Sequence, residues 1–506
     1  MNEENNEEEK GLKWNDSDGK PVRILEVLDS YEKVHKITET LNAGGQGVVC
    51  RTENKEIVIK FLLDTTEDPQ GRLINREKNK AEFERKNAEI RAVATKPFPD
   101  RLHIAYPMAC LTDYSGYVMR FMGDMNPYGE LASISVEGIK QMPENGGHRR
   151  RFDLLSKLAA ILAKLHGNGM VYCDLSPNNV FVTADPDGAN QNVWLIDADN
   201  VYIPGEDPDN LVYTLAFAAP ELLEGKACTQ YSDIYSFAIL VFQSLAALHP
   251  FAGKAATNWE EGGDDWDATT KTTRTTAVQN MPDIAAQFTG KLPWVEDPED
   301  DSNHTEDGLP RQNFLTDETF SLLNRTFCEE GREQPKTRPT AALWARALAH
   351  SHAASVCCTD PECRMSFVYD GSQENCPWCK KPLAPLMLLK NEKGEIVFAH
   401  ELDFGKAPEN RQKSFALPQH IFEPFDIDDF YKPVITVRTV TDGTHGLEFK
   451  LAQNVISDSK YFISINGKEE QIMSTYILQT KKEDKYEIIC RNASTGICRT
   501  FTLEEK

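Results

Sequence analysis

The pattern of apolar and polar positions changes character along the chain. Near the beginning, Leu41-Asn42-Ala43-Gly44-Gly45-Gln46-Gly47-Val48-Val49 sets a glycine cluster between apolar residues, and Glu56-Ile57-Val58-Ile59-Lys60-Phe61 follows. The order predicts a strand, a glycine turn and a second strand that carries a lysine. In Ala81 to Val93, Glu82 and Glu89 are seven residues apart and so share one face of a helix. Val193-Trp194-Leu195-Ile196 is an apolar strand ending in the acidic segment Asp197-Ala198-Asp199. From about Leu386 onward the texture becomes alternating, as in Leu447 to Leu451 and Ile463 to Ile465, with Asn466-Gly467 and Asp442-Gly443 as turns. That predicts a small β-rich module, and no cluster of catalytic side chains is readable in it.

The stretch Met170 to Phe181 brings in chemistry, because Asp174 and Asn179 stand five residues apart. Such a loop can serve a phosphate-transfer centre: the Asp orients and partly deprotonates an acceptor hydroxyl, and the Asn holds magnesium. An Asp- and Asn-rich surface turn gives the same spacing by chance, so the order of motifs matters more than any one of them. Gly44 and Gly47 would let backbone N–H groups approach phosphate, Lys60 would meet the α- and β-phosphates, and Asp197 would be a second magnesium ligand.

Composition narrows the partners. The chain has 506 residues and a formal net charge of −24, enough length for two to four domains and the wrong sign for nucleic acid or anionic membranes. No basic-plus-apolar leader and no spanning run is present, so a cytoplasmic protein is expected. Residues 1–20 read as an acidic disordered tail. A second acidic stretch, about 255–310, contains Trp259, Trp266 and Trp294, which leave room for a docking surface.

Cysteine spacing adds a metal. Cys358-x4-Cys363, a spacer of twelve residues and Cys376-Pro377-Trp378-Cys379 form a zinc-ribbon signature, with Cys357 an alternative first ligand. Four thiolates leave no open position, so the ion would be structural. Disulfides are disfavoured by the expected compartment, and the remaining cysteines, including Cys490 and Cys498, read as ordinary thiols.

Taken in order, these motifs resemble the eukaryotic-like Ser/Thr protein kinases of bacteria over roughly residues 30 to 353. Leu165-His166 and Val171 to Asp174 look like the end of a helix entering the H-R-D loop. Ala219-Pro220-Glu221 resembles A-P-E, Tyr231 to Phe237 a helix start whose Asp233 binds the loop backbone, and Thr337-Arg338-Pro339-Thr340 the late R-P-T segment. These elements imply a protein substrate, and the resemblance puts Thr214 beside the catalytic Asp. It also implies a helix glutamate paired with Lys60, either Glu89 or Glu82. The implied fold is α+β, a bilobal kinase domain over residues 21–354 with lobes at about 25–121 and 126–354, then a zinc ribbon at 355–385 and a β-rich interaction domain at 386–506. Implied cofactors are ATP, Mg²⁺ and structural Zn²⁺, and the resemblance implies adenine between Val49 and Val58 on one side and Phe181 on the other, with Asn42 and the hinge-like Met119 beside it.

Departures leave two readings open. Cys173 stands where the family has an Arg that receives an activation-loop phosphate, Ser176 replaces a Lys that balances γ-phosphate charge, and Ala198-Asp199 replace Phe-Gly. An active kinase and a pseudokinase scaffold therefore compete. The glycine loop, Asp-Ala-Asp and ribbon together resemble the kinases of tellurite-resistance-associated phosphorylation systems, which implies a von Willebrand factor A-type protein and a metal-dependent phosphatase as partners.

Overall fold

The computed structural model describes the chain except residues 1–9, 45–46, 67, 69, 100–101, 188–190, 206–211, 258–270, 274–285, 403–434, 440–444, 451–460, 472–474, 481–483, 494–495 and 497. Trp259, Trp266 and the Asp442-Gly443 turn lie outside the described residues, as do residues 1–9 of the acidic tail, whereas Leu12–Asn15, expected in that disordered tail, form a strand because Leu12 is apolar and buried. The chain divides into two compact units: Met1–Asn126 with Asn179–Phe181 and Trp194–Glu206, and the remainder.

The first unit is built on a seven-stranded sheet. A short hairpin, β1 (Leu12–Asn15) and β2 (Pro21–Ile24), precedes the strands β3 (Glu26–Leu28), β4 (Val34–Gly44), β5 (Gly47–Thr52), β6 (Ile57–Asp64), β7 (Arg72–Leu73), β8 (Ala109–Cys110) and β9 (Gly116–Arg120). Their order is β3-β4-β5-β6-β9-β8, with β7 on β6. Alternate residues separate the faces. Val48, Cys50, Ile59 and Phe61 enter one core together with Leu12 and Ile24 of the hairpin. Val49 pairs with Lys60 and Val58 with Met119, so these four share the opposite face. The helix α1 (Lys80–Ala94) buries Phe83, Asn87, Ile90 and Val93, a spacing of three and four residues that makes one stripe.

The second unit is helical at first. Its helices α2 (Gly147–Gly167), α3 (Gln230–Ala246), α4 (Asp317–Phe327) and α5 (Ala341–Ala353) contribute large buried side chains, among them Phe152, Phe237, Phe242 and Trp344. Trp294, one of the residues that left room for a docking surface, is fully buried there; it donates to Asn324 Oδ1 at 3.1 Å, meets Phe242 edge-on and lies tilted against Phe320 and Phe327. An indole with its N–H satisfied among aromatics belongs to a core.

A hairpin of β10 (Ser355–Cys357) and β11 (Ser366–Val368) follows α5, and then come β12 (Leu386–Asn391), β13 (Ile396–Glu401), β14 (Ile435–Thr439), β15 (His445–Lys450), β16 (Tyr461–Ile465), β17 (Lys468–Gln471), β18 (Thr475–Thr480), β19 (Lys485–Asn492) and β20 (Cys498–Glu505). They form an antiparallel sheet ordered β13-β12-β20-β19-β16-β17 and a second ordered β14-β15-β18. The ribbon hairpin and the first sheet share one core: Val356, Phe367 and Tyr369 pack with Leu386, Leu388 and Ala399, around Cys358 and Cys376.

Candidate active site and metal centre

In the first unit, the glycine hairpin closes with Gly44 opposite Gly47. A Cβ at position 47 would lie 2.3 Å from Phe61 O, so only glycine lets the two strands approach this closely. Lys60 projects from the face it shares with Val49, Val58 and Met119, and its ammonium is almost buried, 6% exposed. Its Nζ lies 2.7 Å from Asp197 Oδ1. Asp197 takes a left-handed conformation, φ 56° and ψ 55°, sparsely populated for a residue with a side chain. The next backbone link is short: the Ile196 N–H donates to Asn179 O at 3.0 Å. Lys60, Asn179 and Asp197 therefore belong to one compact unit although they lie far apart in sequence.

The helix glutamate falls elsewhere. Glu89 is about half exposed and pairs with Arg85 at 2.6 Å and Lys86 at 3.4 Å, while Glu82 holds the other side of Arg85. The buried stripe of α1 passes through Asn87, whose Nδ2 donates to Leu111 O at 3.3 Å and whose Oδ1 has no partner. Both glutamates thus sit off the inward stripe of α1, and each is satisfied by a neighbour one turn away.

In the second unit, the loop after α2 is held by one carboxylate. The Tyr172 and Cys173 N–H groups donate to Asp233 Oδ2 and Oδ1, each at 2.8 Å, and His166 Nε2 lies 2.9 Å from Oδ2. Asp233 is placed by the start of α3, where Thr229 and Ser232 form a reciprocal cap. Cys173 has φ 69°, and the turn it makes presents Asp174, 1% exposed, to the Thr214 hydroxyl, which donates to Asp174 Oδ1 at 2.8 Å. The Ser176 hydroxyl, two residues on, is buried without a partner.

The segment after Thr214 is pinned by a buried ion pair. Arg338 meets Glu221 with two parallel contacts of 2.8 and 2.9 Å, Ser232 donates to the same carboxylate at 2.8 Å, and Ser236 donates to Phe217 O at 2.6 Å. Bidentate geometry of this kind fixes orientation as well as contributing energy. One feature went unforeseen: Cys173 and Cys228 form a disulfide, contrary to the expectation of ordinary thiols. Their positions, 55 residues apart, carry no spacing signal; only the meeting of the loop with the start of α3 brings them together.

The four ribbon cysteines converge. The sulfurs of Cys358, Cys363, Cys376 and Cys379 all lie within 4.8 Å of one another, with Cys358–Cys379 at 3.6 Å and Cys363–Cys376 at 3.9 Å. These separations are too long for disulfides and suit thiolates around one cation. Cys357, the alternative ligand, instead lies in β10, where its N–H donates to Glu401 Oε2 at 3.3 Å. Burial pushes the Cys358 thiol up and that of Cys363 to about 11, a cost that a divalent ion offsets.

Residues 115–352 match the family described as protein kinase domain. The matched segment is thus similar to protein kinase domains. It contains Asp174, Asn179, Asp197, Thr214, Glu221 and Arg338, while the glycine hairpin and Lys60 precede it. Among curated proteins, the chain is 24% identical over 238 residues to the serine/threonine-protein kinase PknA of Corynebacterium glutamicum, covering 46% of this chain and 47% of that one. It is 33% identical over 139 residues to the serine/threonine-protein kinase mos of Patiria pectinifera, covering 25% and 37%. The chain thus spans about half or less of these relatives. Among solved structures, the autoinhibited serine kinase domain of the giant muscle protein titin aligns at 16% identity with a TM-score of 0.39, covering 63% of this chain and 80% of that one. Among the described residues, no helix is long and apolar enough to cross a membrane.

Proposed function

We propose that the protein is a Ser/Thr protein kinase that uses ATP and Mg²⁺ and transfers the γ-phosphate to a protein hydroxyl. The observation that carries this reading is the buried Asp174 carboxylate with the Thr214 hydroxyl on it at 2.8 Å, next to a segment pinned by Arg338 and Glu221. Asp174 would accept the hydrogen bond of an incoming Ser or Thr hydroxyl and take up its proton as transfer completes. Thr214 would orient that carboxylate. Lys60 would move from Asp197 to phosphate oxygens, which frees a carboxylate oxygen of Asp197. Asn179 and Asp197 are hard oxygen donors that fit magnesium, which when bound draws charge from the transferring phosphoryl group. Asn42, Gly44, Gly47, Val49, Val58, Met119 and Phe181 would surround the nucleotide, with Glu89 reaching Lys60 only after α1 rearranges.

A second reading, a nucleotide-binding pseudokinase scaffold, draws support from Glu89, which is engaged by Arg85 and Lys86, and from the uncharged Ser176. Under either reading Cys358, Cys363, Cys376 and Cys379 would hold a structural Zn²⁺, and the strands over 386–506 would form an interaction domain in a cytoplasmic protein. The resemblance to tellurite-associated systems makes a von Willebrand factor A-type protein the candidate substrate and a metal-dependent phosphatase its counterpart.

The test is transfer of labelled γ-phosphate to a basic protein. Asp174→Ala should lower the rate at least about 10²-fold while nucleotide affinity stays close to that of the wild type. Asp197→Ala should remove the magnesium-dependent part of nucleotide binding. Equal incorporation by wild type and Asp174→Ala would leave the scaffold as the better reading.

A further inference from the structure

The disulfide between Cys173 and Cys228 joins two points that matter to the same loop. Cys173 directly precedes Asp174. Cys228 directly precedes Thr229, the residue that caps α3, and α3 supplies the Asp233 carboxylate that accepts from the Tyr172 and Cys173 N–H groups. The covalent bond and the two hydrogen bonds thus fasten one short backbone segment to one helix start. The covalent ring, with a sequence separation of 55 residues, contains Asp197, Thr214 and Glu221.

Cys173 needs fastening. Its left-handed φ of 69° is disfavoured for a residue with a Cβ, and it persists only where the surroundings over-determine it. The Cα–Cα distance of 6.1 Å falls within the usual disulfide range. Both side chains are buried, at 4% and 1% exposure, so thiol exchange requires the loop to open locally.

We propose that Cys173 and Cys228 are a reversible dithiol–disulfide pair that controls the order of the catalytic loop and of the Thr214–Glu221 segment, with the oxidised form the more active one. Oxidation by a peroxide is balanced as follows. One thiolate attacks the peroxide O–O bond and becomes a sulfenic acid, releasing the first water or alcohol; the second thiolate attacks that sulfur, the S–S bond forms, and the sulfenic oxygen leaves as water. Two electrons pass from the sulfurs to the peroxide oxygens, and the two thiol protons end on the departing oxygens. A dithiol reductant reverses the step by exchange through a mixed disulfide and is itself oxidised. The ribbon cysteines form a separate group whose sulfurs converge on one another, and the zinc measurement follows any oxidation of that group.

The activity arm of the test rests on the kinase reading; the structural arms do not. The full chain is purified without reductant, treated with hydrogen peroxide or dithiothreitol, alkylated and mapped by mass spectrometry, with zinc measured in parallel. A Cys173–Cys228 linked peptide is expected after peroxide and lost after dithiothreitol. Amide exchange across Val212–Leu223 should quicken on reduction, and phosphate transfer should fall about tenfold as Asp174 loses its fixed position. Cys228→Ser should match the reduced wild type under both treatments. Free thiols at both positions after peroxide, a linked peptide with unchanged exchange, or faster transfer on reduction would each overturn the switch. Redox-dependent exchange with no transfer in either state would sink the kinase reading and leave the switch in place.

Discussion

The Asp174 loop and the cysteine ribbon belong to the same compact unit and are both fastened by buried charge, but by different arithmetic. At the loop, Asp233 accepts from two backbone N–H groups and lies against His166; the donors hold the backbone in a strained turn. At the ribbon, Arg149 of α2 and Glu401 of β13 face each other in two contacts of 2.9 Å at 8% and 4% exposure, and Arg149 also donates to Ser355 O. The first arrangement spends its donors on positioning Asp174, a second carboxylate to which the proposed function gives the chemistry. The second neutralises itself and offers nothing to a substrate. Buried carboxylates are therefore not one category: what they face separates a working group from a fastener.

That contrast breaks most readily at the metal. Cys376→Ser should release an ion whose binding contributes on the order of 10 kcal/mol to folding of small zinc modules. Elemental analysis should find about one zinc per wild-type chain and much less in the variant. Proteolysis should rise across residues 355–385 and extend into β12 and β13, which share the ribbon's core. Nucleotide affinity should persist, because Lys60 and Asp197 lie in the other unit. Loss of nucleotide binding together with zinc would show that the two regions are not separable.

A smaller effect is expected at the fastener itself. Arg149→Met leaves Glu401 buried without its partner and should cost about 3–5 kcal/mol in denaturant unfolding, whereas Arg149→Met with Glu401→Met should recover most of that loss. Phosphate transfer per folded molecule should change little. A fall in transfer with intact stability would place Arg149 in catalysis and end the contrast.

How far these two regions were legible in the sequence differs for the same physical reason. Asp174, Asn179, Asp197 and Asp233 sit in short contiguous motifs whose backbone geometry is local, and the ribbon cysteines announce themselves by spacing. The sheet register that groups Val49, Val58, Lys60 and Met119 follows from strand alternation. Contacts between residues far apart carry no such signal: Cys173 with Cys228, Arg149 with Glu401, and Trp294 in its aromatic core all depend on how helices pack. Glu89 shows the limit of helix-face reasoning. The seven-residue spacing from Glu82 to Glu89 is met, but the buried stripe follows Phe83, Asn87, Ile90 and Val93, and a local Arg85 claims both glutamates.

The subtlest test uses pH to loosen the ribbon side. His148 in α2 stacks against Phe314 at 5.0 Å and Trp378 of the ribbon at 5.7 Å, and its two ring nitrogens lie 3.2 Å from Ser366 O and 2.9 Å from Leu245 O. Two carbonyls favour the imidazolium, yet burial, with Arg151 adding to it, pushes the pKa down to about 4 from its ordinary 6.5. The unfolded chain therefore takes up this proton first as the medium acidifies. The contribution of His148 is full above about pH 6.5 and is lost as pH falls toward about 4. His249, also held near 4 by burial, acts in the same direction on the side of Ala216, so the wild type alone cannot divide the loss. His148→Phe keeps the stacking and removes the titration. It should flatten the ribbon's share: protease cleavage at residues 355–385 should rise between pH 7 and pH 5 in the wild type and rise less in the variant, while both lose global stability through His249. Equal cleavage by wild type and variant at every pH would show that the ribbon is held by its metal and by Arg149 alone.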